Sequence, residues 1–131
     1  MAAIVRARSV LAVRDLERSA RYYIDVLGFS EDPIQSAGWR FLSRDAFHLM
    51  LGECPDEVPA GQTGNHSWFV HLLIEGLDQY FAEIGARGAE ILSPPADRSY
   101  GLREFILRTP DGHRIVVGER IGSGGHRQDL S

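Results

Sequence analysis

Lysine is absent from this 131-residue chain, and all fourteen of its basic residues are arginine. This absence excludes Schiff-base chemistry, a phosphate-loop lysine and a lysine general base. The arginines are scattered among eighteen acidic residues, and the formal net charge is −4. Because nucleic-acid-binding proteins gather positive charge on one surface, this distribution argues against nucleic acid as a partner.

Cysteine is nearly absent as well, since Cys54 is the only one. It cannot form an intrachain disulfide, and no second cysteine stands at the spacing of a zinc site or a redox pair. The chain has no apolar run of membrane-spanning length and no apolar segment near Met1 that is typical of a signal peptide. We therefore expect a cytoplasmic protein without a membrane partner, in which Cys54 is a loop thiol with no chemical role.

The residues that are present are typical of a globular protein, with 44% hydrophobic and 24% charged side chains. A β-prone run at residues 10–13 precedes Asp15, a candidate helix N-cap. Apolar residues then recur at helical spacing from Leu16 to Leu27, and Gly28 provides the stop. The segment predicts a strand followed by an amphipathic helix, with further short strands at residues 29–34, 39–43 and 47–51.

The same order of elements recurs in the second half of the chain. Residues 54–66 are rich in Pro, Gly and polar residues, which predicts a linker. Beyond it we predict a strand at residues 68–74 and a helix ended by Gly88. Three more strands are predicted at residues 89–92, 103–108 and 114–117.

An overlap without gaps supports an internal repeat. Residues 45–53, DAFHLMLGE, lie over residues 111–119, DGHRIVVGE, and keep Asp, a β-prone run and Gly-Glu in step. We therefore predict one α+β domain of two modules in tandem, at about residues 4–53 and 67–119. The tail at residues 121–131 is expected to be disordered. His66 and His113 in turns, and His126 in the tail, are assigned no chemistry.

Two stretches carry a family resemblance. Residues 11–29, LAVRDLERSARYYIDVLGF, and residues 100–119, YGLREFILRTPDGHRIVVGE, resemble the first strand and helix and the last hairpin of the vicinal oxygen chelate superfamily. That superfamily contains glyoxalases, bleomycin-resistance proteins and extradiol dioxygenases. The resemblance implies two βαβββ modules whose curved mixed sheets surround a central cavity, with the helices outside, and usually a homodimer.

Metal-dependent members of the superfamily carry His or Glu on the first and last strand of each module. By the repeat register, the equivalent positions here are Arg8, Met50, Phe69 and Val116. Arg is a fixed cation, Phe and Val have no donor atom, and Met prefers soft ions, so we predict no metal and no other cofactor. A register shifted by two residues would instead bring in His48 and His71, which would still need a third ligand.

These positions suit an amphipathic organic ligand, because they combine guanidinium, imidazole, thioether and apolar groups. Trp39 could stack on a flat ligand or pack in the core, and for Trp68 we expect a core position. An equally open alternative is that the arginines pair with acids of their own sheet. The predicted ligand-binding residues are Arg8, Trp39, His48, Met50, Phe69, His71, Arg114 and Val116.

Three functions remain open at this point. The first is a glyoxalase- or bleomycin-resistance-like protein that binds a small organic ligand in a cupped pocket without a metal. The second is a metal-dependent lyase or dioxygenase of the same superfamily, which the missing ligands disfavour. The third is a metal-free enzyme that uses His48 or His71 as its acid or base.

Overall fold

The computed structural model describes residues 1–62 and 67–122. The chain divides into two units, Met1–Pro59 and Ala60–Ser131, which we call module one and module two. Each module contains one four-stranded mixed sheet and one α-helix of ten residues. The predicted α+β repeat of two tandem modules is confirmed.

In module one the helix lies between the first and second strands along the chain. Its elements are β1 (Ser9–Val13), α1 (Leu16–Asp25), β2 (Ser30–Glu31), β3 (Trp39–Arg44) and β4 (Phe47–Glu53). The sheet order is β1-β4-β3-β2, with β1 and β4 parallel and the other pairs antiparallel. The side chain of Asp15 accepts a hydrogen bond from the Arg18 amide, and Gly28 follows the helix with φ 79°, as the N-cap and stop residues predict.

Module two repeats this order after a short 3₁₀ turn at Ala60–Gln62. Its elements are β5 (Trp68–Leu73), α2 (Leu77–Ala86), β6 (Glu90–Asp97), β7 (Leu102–Arg108) and β8 (Arg114–Arg120). The sheet order is β5-β8-β7-β6, and β5 and β8 are parallel. Strand β6 is longer than predicted because it continues through Pro94 and Pro95, which an edge strand tolerates.

The helix covers only one face of each sheet. In module one, Leu42, Leu49 and Leu51 are fully buried on the face toward α1. In module two, Phe81 of α2 packs edge-on against Phe105 of β7, with ring centroids 5.2 Å apart. Because side chains alternate along a strand, their neighbours in sequence point to the opposite face. We call this opposite face of each sheet its far face.

Two sets of polar contacts hold equivalent elements together in both modules. The Glu of each Gly-Glu pair reaches the start of the helix: Glu119 accepts hydrogen bonds from the amides of Gly76 and Leu77 at 2.9 and 3.1 Å. Glu53 makes the corresponding but longer contact, 3.5 Å, to the amide of Leu16. A carboxylate at this place stabilises the positive end of the helix dipole and satisfies unpaired amides.

The second set is an arginine on the third strand of each module. Arg40 pairs with Glu17 in the first turn of α1 and with Glu31 on β2. Arg103 likewise pairs with Asp78 in the first turn of α2 and with Asp97 on β6, at 3.1 and 3.0 Å. Each arginine therefore ties a helix to an edge strand of its own sheet, a structural repeat that was not predicted from the sequence.

The predicted core position of Trp68 is wrong, because its side chain is 46% exposed. The register shifts between Trp68 and Val70, so that Trp68 lies opposite Arg114 while Val70 lies opposite Ile115. This irregularity makes Phe69 the extra residue and breaks the alternation on which the prediction depended. Trp68 consequently shares the far face with Arg114, whose guanidinium lies 5.2 Å from its ring centre.

Candidate functional site

The far face of module two combines apolar side chains with one polar cluster. His71 on β5, Val116 on β8 and Ile106 on β7 are neighbours across three strands. Gly118 and Glu104 are also register partners, and each lies two residues along its strand from Val116 and Ile106. The predicted site residues His71 and Val116 are thus brought side by side.

Gly118 allows His71 to reach Glu104 across the intervening strand. The distance from His71 Nε2 to Glu104 Oε2 is 2.8 Å. A Cβ atom at residue 118 would lie 3.1 Å from His71 Cε1 and 3.3 Å from Glu104 Cγ, closer than side chains normally approach. The absence of a side chain at Gly118 therefore makes room for the contact between the imidazole and the carboxylate.

Glu104 is a buried acid with more than one partner. The residue is only 6% exposed, and its Oε1 atom accepts a short hydrogen bond from the hydroxyl of Tyr100. Arg98 Nε lies 3.9 Å from the same oxygen. Burial opposes ionisation of Glu104, but the hydrogen bonds from Tyr100 and His71 outweigh it and hold the pKa of the carboxyl below its ordinary value. Glu104 is therefore a carboxylate at neutral pH.

The charge of Glu104 determines which ring nitrogen of a neutral His71 carries the hydrogen. A carboxylate can only accept a hydrogen bond, so the Nε2 atom of His71 must be the donor. In a neutral imidazole the other nitrogen, Nδ1, then carries the lone pair. No other hydrogen bond is made by His71 within the part of the chain that the structure describes, and its side chain is 43% exposed. The arrangement presents an oriented proton acceptor to the far face.

Arg8 in module one pairs with an acid of its own module. Its Nη1 atom lies 3.1 Å from Asp32 Oδ2, and both side chains are about one-fifth exposed. The hydroxyl of Ser43 donates to the other oxygen of Asp32 at 2.6 Å. The bond from Ser43 lowers the pKa of Asp32, burial opposes this, and the bond from Arg8 adds to the lowering. Arg8 therefore fits the alternative interpretation of the sequence, in which the arginines pair with acids of their own sheet.

His48, Met50 and Trp39 lie on the far face of module one. Met50 lies between Val10 and Phe41 in the register, and the ring of Trp39 covers Gly52, where a Cβ atom would come within 2.7 Å of it. Nδ1 of His48 is buried and has no hydrogen-bond partner among the described residues. This face is mainly apolar, and the ring of Trp39 is already packed against the backbone at Gly52.

The register differs from the one that places Arg8 level with Met50 and Phe69 level with Val116. In the structure, Val10 lies beside Met50 and His71 lies beside Val116, so β1 and β5 are shifted by two residues while Met50 and Val116 keep their places. This differs from the shift considered above, which would bring in His48 as well as His71. Of the four side chains paired in the structure, only His71 is of a type that commonly binds metal ions. Within residues 1–62 and 67–122, no group of three His, Cys, Asp or Glu side chains is placed to hold a metal ion. The donor set does not fit the metal of the metal-dependent superfamily members.

Other predicted residues contact side chains other than His71 and Glu104. Phe69 packs edge-on against His113, with ring centroids 5.4 Å apart, and Arg114 lies over Trp68. Cys54 is a free, half-buried thiol in the loop after β4. His66, His126 and the tail from residue 123 lie outside the described residues.

A surface pocket of about 290 Å³ lies where β5 and β8 end. It is lined by Leu73, Ile74, Glu75, Glu119 and Arg120. Glu119 already accepts the amides at the start of α2, so the capping role of this carboxylate explains its place in the pocket.

Glu104, Tyr100 and Asp32 were not predicted from the sequence. Glu104 stands in the strand Leu102–Arg108, on the face that it shares with apolar Leu102 and Ile106. An acid at a position that the strand pattern assigns to a sheet face is a signal that could have been used. Its partner His71 is 33 residues away, however, and the register that joins them depends on the irregularity in β5.

Comparison with known proteins gives a consistent result. The family model described as "Glyoxalase/Bleomycin resistance protein/Dioxygenase superfamily" matches residues 4–117. A sequence search of curated proteins finds no match.

Neither helix within the described residues has the length and apolar character that a membrane span requires.

Solved structures similar to this chain share its fold. TnmS3, an antibiotic binding protein from Streptomyces sp. CB03234, has a TM-score of 0.74 at 21% identity, over 92% of this chain and 99% of its own. TioX from Micromonospora sp. ML1 has a TM-score of 0.68 at 22% identity, over 90% and 98%. A glyoxalase/bleomycin resistance protein/dioxygenase from Nocardioides has a TM-score of 0.72 at 22% identity, over 95% and 88%.

Proposed function

The chain belongs to the Glyoxalase/Bleomycin resistance protein/Dioxygenase superfamily, and we propose that it binds a small amphipathic organic molecule, without a metal ion, on the far face of module two. The observation that carries the proposal is the His71–Glu104 pair, a buried carboxylate and a half-exposed imidazole beside apolar Val116 and Ile106. Ligand sites typically combine a mostly apolar lining with a few polar groups that orient the ligand.

Binding is favoured over metal-dependent chemistry for two reasons. The side chains at the relevant positions do not form a metal-ligand set among the described residues, whereas lyases and dioxygenases that use a metal need at least three donors. One structure with the same fold is described as an antibiotic binding protein, which supports small-molecule binding as a function of this scaffold. The ligand-binding roles of Trp39, His48, Met50, Phe69 and Arg114 remain predictions.

We also propose a homodimer in the cytoplasm as the working form. The family resemblance is the main reason for the dimer. Val10 on edge strand β1 is 59% exposed and Leu73 on edge strand β5 is 48% exposed, and apolar side chains on sheet edges are commonly covered by a partner.

Calorimetric titration with a panel of planar aromatic antibiotics and dyes tests the binding proposal. Val116→Asp should weaken binding of any ligand found by about tenfold or more, because it places a charge in the apolar part of the site. Val58→Asp is the matched control, since Val58 is 57% exposed in the loop between the modules. Equal affinities of the two variants and the wild type would exclude this face as the binding site.

A further inference from the structure

We propose that His71 takes a proton from the bound ligand, and that the ligand class is therefore aromatic or conjugated molecules with an acidic hydroxyl group, such as phenols and enols. The proposal rests on the proposed function, because it names the ligand chemistry of the same site. It is carried by the geometry of His71, Glu104 and Gly118.

The orientation of the imidazole is fixed by its neighbours. Glu104 Oε2 accepts a hydrogen bond from His71 Nε2 at 2.8 Å. Because Gly118 has no side chain, the His71 ring has space to approach Glu104. Nε2 is consequently the protonated nitrogen and Nδ1 is the acceptor. A carboxylate that fixes an imidazole in this way holds the tautomer with a free lone pair and stabilises the imidazolium once it forms.

Glu104 would provide the counter-charge for an imidazolium at His71. Glu104 is 6% exposed, and Arg98, at 3.9 Å, is its nearest cationic side chain. When His71 gains a proton, the pair changes from one negative charge to none, so its imidazolium form is paired within the protein. A ligand that donates a proton leaves behind an anion that contacts this imidazolium through a charge-assisted hydrogen bond.

The apolar surroundings of His71 select the rest of the ligand. Val116 lies beside His71 in the register and Ile106 lies beside Val116. Trp68, whose ring contacts the Arg114 guanidinium, is half-exposed on the same face. These side chains offer apolar and aromatic surface to a flat ring whose hydroxyl points at Nδ1. An acidic hydroxyl on a conjugated ring matches both parts of the site.

The proton transfer is balanced within the complex. The O–H bond of the ligand breaks, its electron pair remains on oxygen, and a new N–H bond forms at Nδ1 of His71. No proton passes to the solvent, and no oxidant or reductant is needed. Tyr100 donates its hydroxyl to Glu104 throughout, so it is a positioning residue, as is Glu104 itself.

The test uses 4-cyanophenol and its methyl ether, 4-cyanoanisole, which has the same ring but no acidic proton. At neutral pH free 4-cyanophenol is mostly protonated, and its ultraviolet spectrum distinguishes the phenol from the phenolate. The wild type should bind 4-cyanophenol about tenfold more tightly than the ether, the value of one charge-assisted hydrogen bond. The bound form should have the phenolate spectrum, and calorimetry in two buffers should detect no proton release.

Matched variants separate the role of His71 from general effects. His71→Gln retains an N–H donor for Glu104 but has no proton acceptor, so the preference for the phenol and the phenolate spectrum should both disappear. Glu104→Gln should also abolish the phenolate spectrum, because the imidazolium loses its counter-charge. His113→Gln, which replaces a histidine in the turn between β7 and β8, should keep both properties.

The outcomes distinguish this inference from the proposed function. If the phenol and the ether bind equally well and the phenol stays protonated, the inference is wrong and the binding site stands. Release of one proton to the buffer, or a phenolate spectrum that persists in His71→Gln, also overturns the inference. If no member of the aromatic panel binds, the proposed function fails as well.

Discussion

Replacement of Glu104 by Gln should destabilise the protein in a pH-dependent way. The side chain is buried and accepts hydrogen bonds from Tyr100 and His71, and Gln keeps its shape while removing the charge. A hydrogen bond to a charged group contributes about 1.5–3 kcal/mol, against about 1 kcal/mol for a neutral one. With two such bonds weakened, the free energy of unfolding should fall by about 2 kcal/mol. This corresponds to a decrease in Tm of about 7 °C for a chain of this length.

The pH dependence follows from the direction of the pKa shift. The pKa of Glu104 in the folded protein is below its ordinary value of 4.5, so the unfolded chain binds the proton more readily. The contribution of the carboxylate is fully present above pH 4.5 and is lost as the pH falls through the lower folded value. The difference in free energy of unfolding between wild type and Glu104→Gln should therefore shrink in acid.

Urea denaturation at neutral and acidic pH measures this difference. Glu90→Gln is the control, because Glu90 pairs with Arg108 at the surface and such pairs contribute about 0–1 kcal/mol. A Glu104→Gln variant as stable as the wild type at neutral pH would refute the reasoning. A loss of stability that stays the same from neutral to acidic pH would also refute it.

Four further outcomes are expected. Gly118→Ala should separate His71 from Glu104, because the new methyl group lies 3.1 Å from the ring; nitrogen-15 shifts of the imidazole would report a loss of the fixed tautomer. Arg8→Ala should lower stability by about 1 kcal/mol in thermal melts and leave ligand affinity unchanged, because Arg8 pairs with Asp32. Elemental analysis of protein purified without chelator should find no stoichiometric divalent metal. Light scattering at micromolar concentration should give the mass of a dimer.

The order of elements could be predicted from the sequence because its signals are local. Asp15 and Gly28 bound a helix whose apolar residues recur at helical spacing. The overlap of residues 45–53 with residues 111–119 is enough to identify β4 and β8 as equivalent strands. These features depend on neighbours within a few residues, which a sequence displays directly.

The composition of the site could be predicted only in part, because it depends on contacts between distant strands. His71 was identified as a candidate, but Glu104 was not, since 33 residues separate them. The position of Trp68 was predicted wrongly because one extra residue in β5 breaks the alternation. A single bulge changes which side chains share a face, and nothing in the local pattern of β5 reveals it.

Comparison of the two modules indicates which residues serve the fold and which serve the site. The helix-capping glutamates and the strand arginines occur in both modules, so they are explained by the scaffold. Gly52 and Gly118 are also equivalent, but Trp39 covers the first, whereas His71 and Glu104 flank the second. The same opening in the sheet is therefore filled by an apolar ring in module one and by an ionisable pair in module two. The scaffold does not require this pair, because module one folds in the same way without it. This difference between the modules is the reason why we propose the ligand site on the far face of module two.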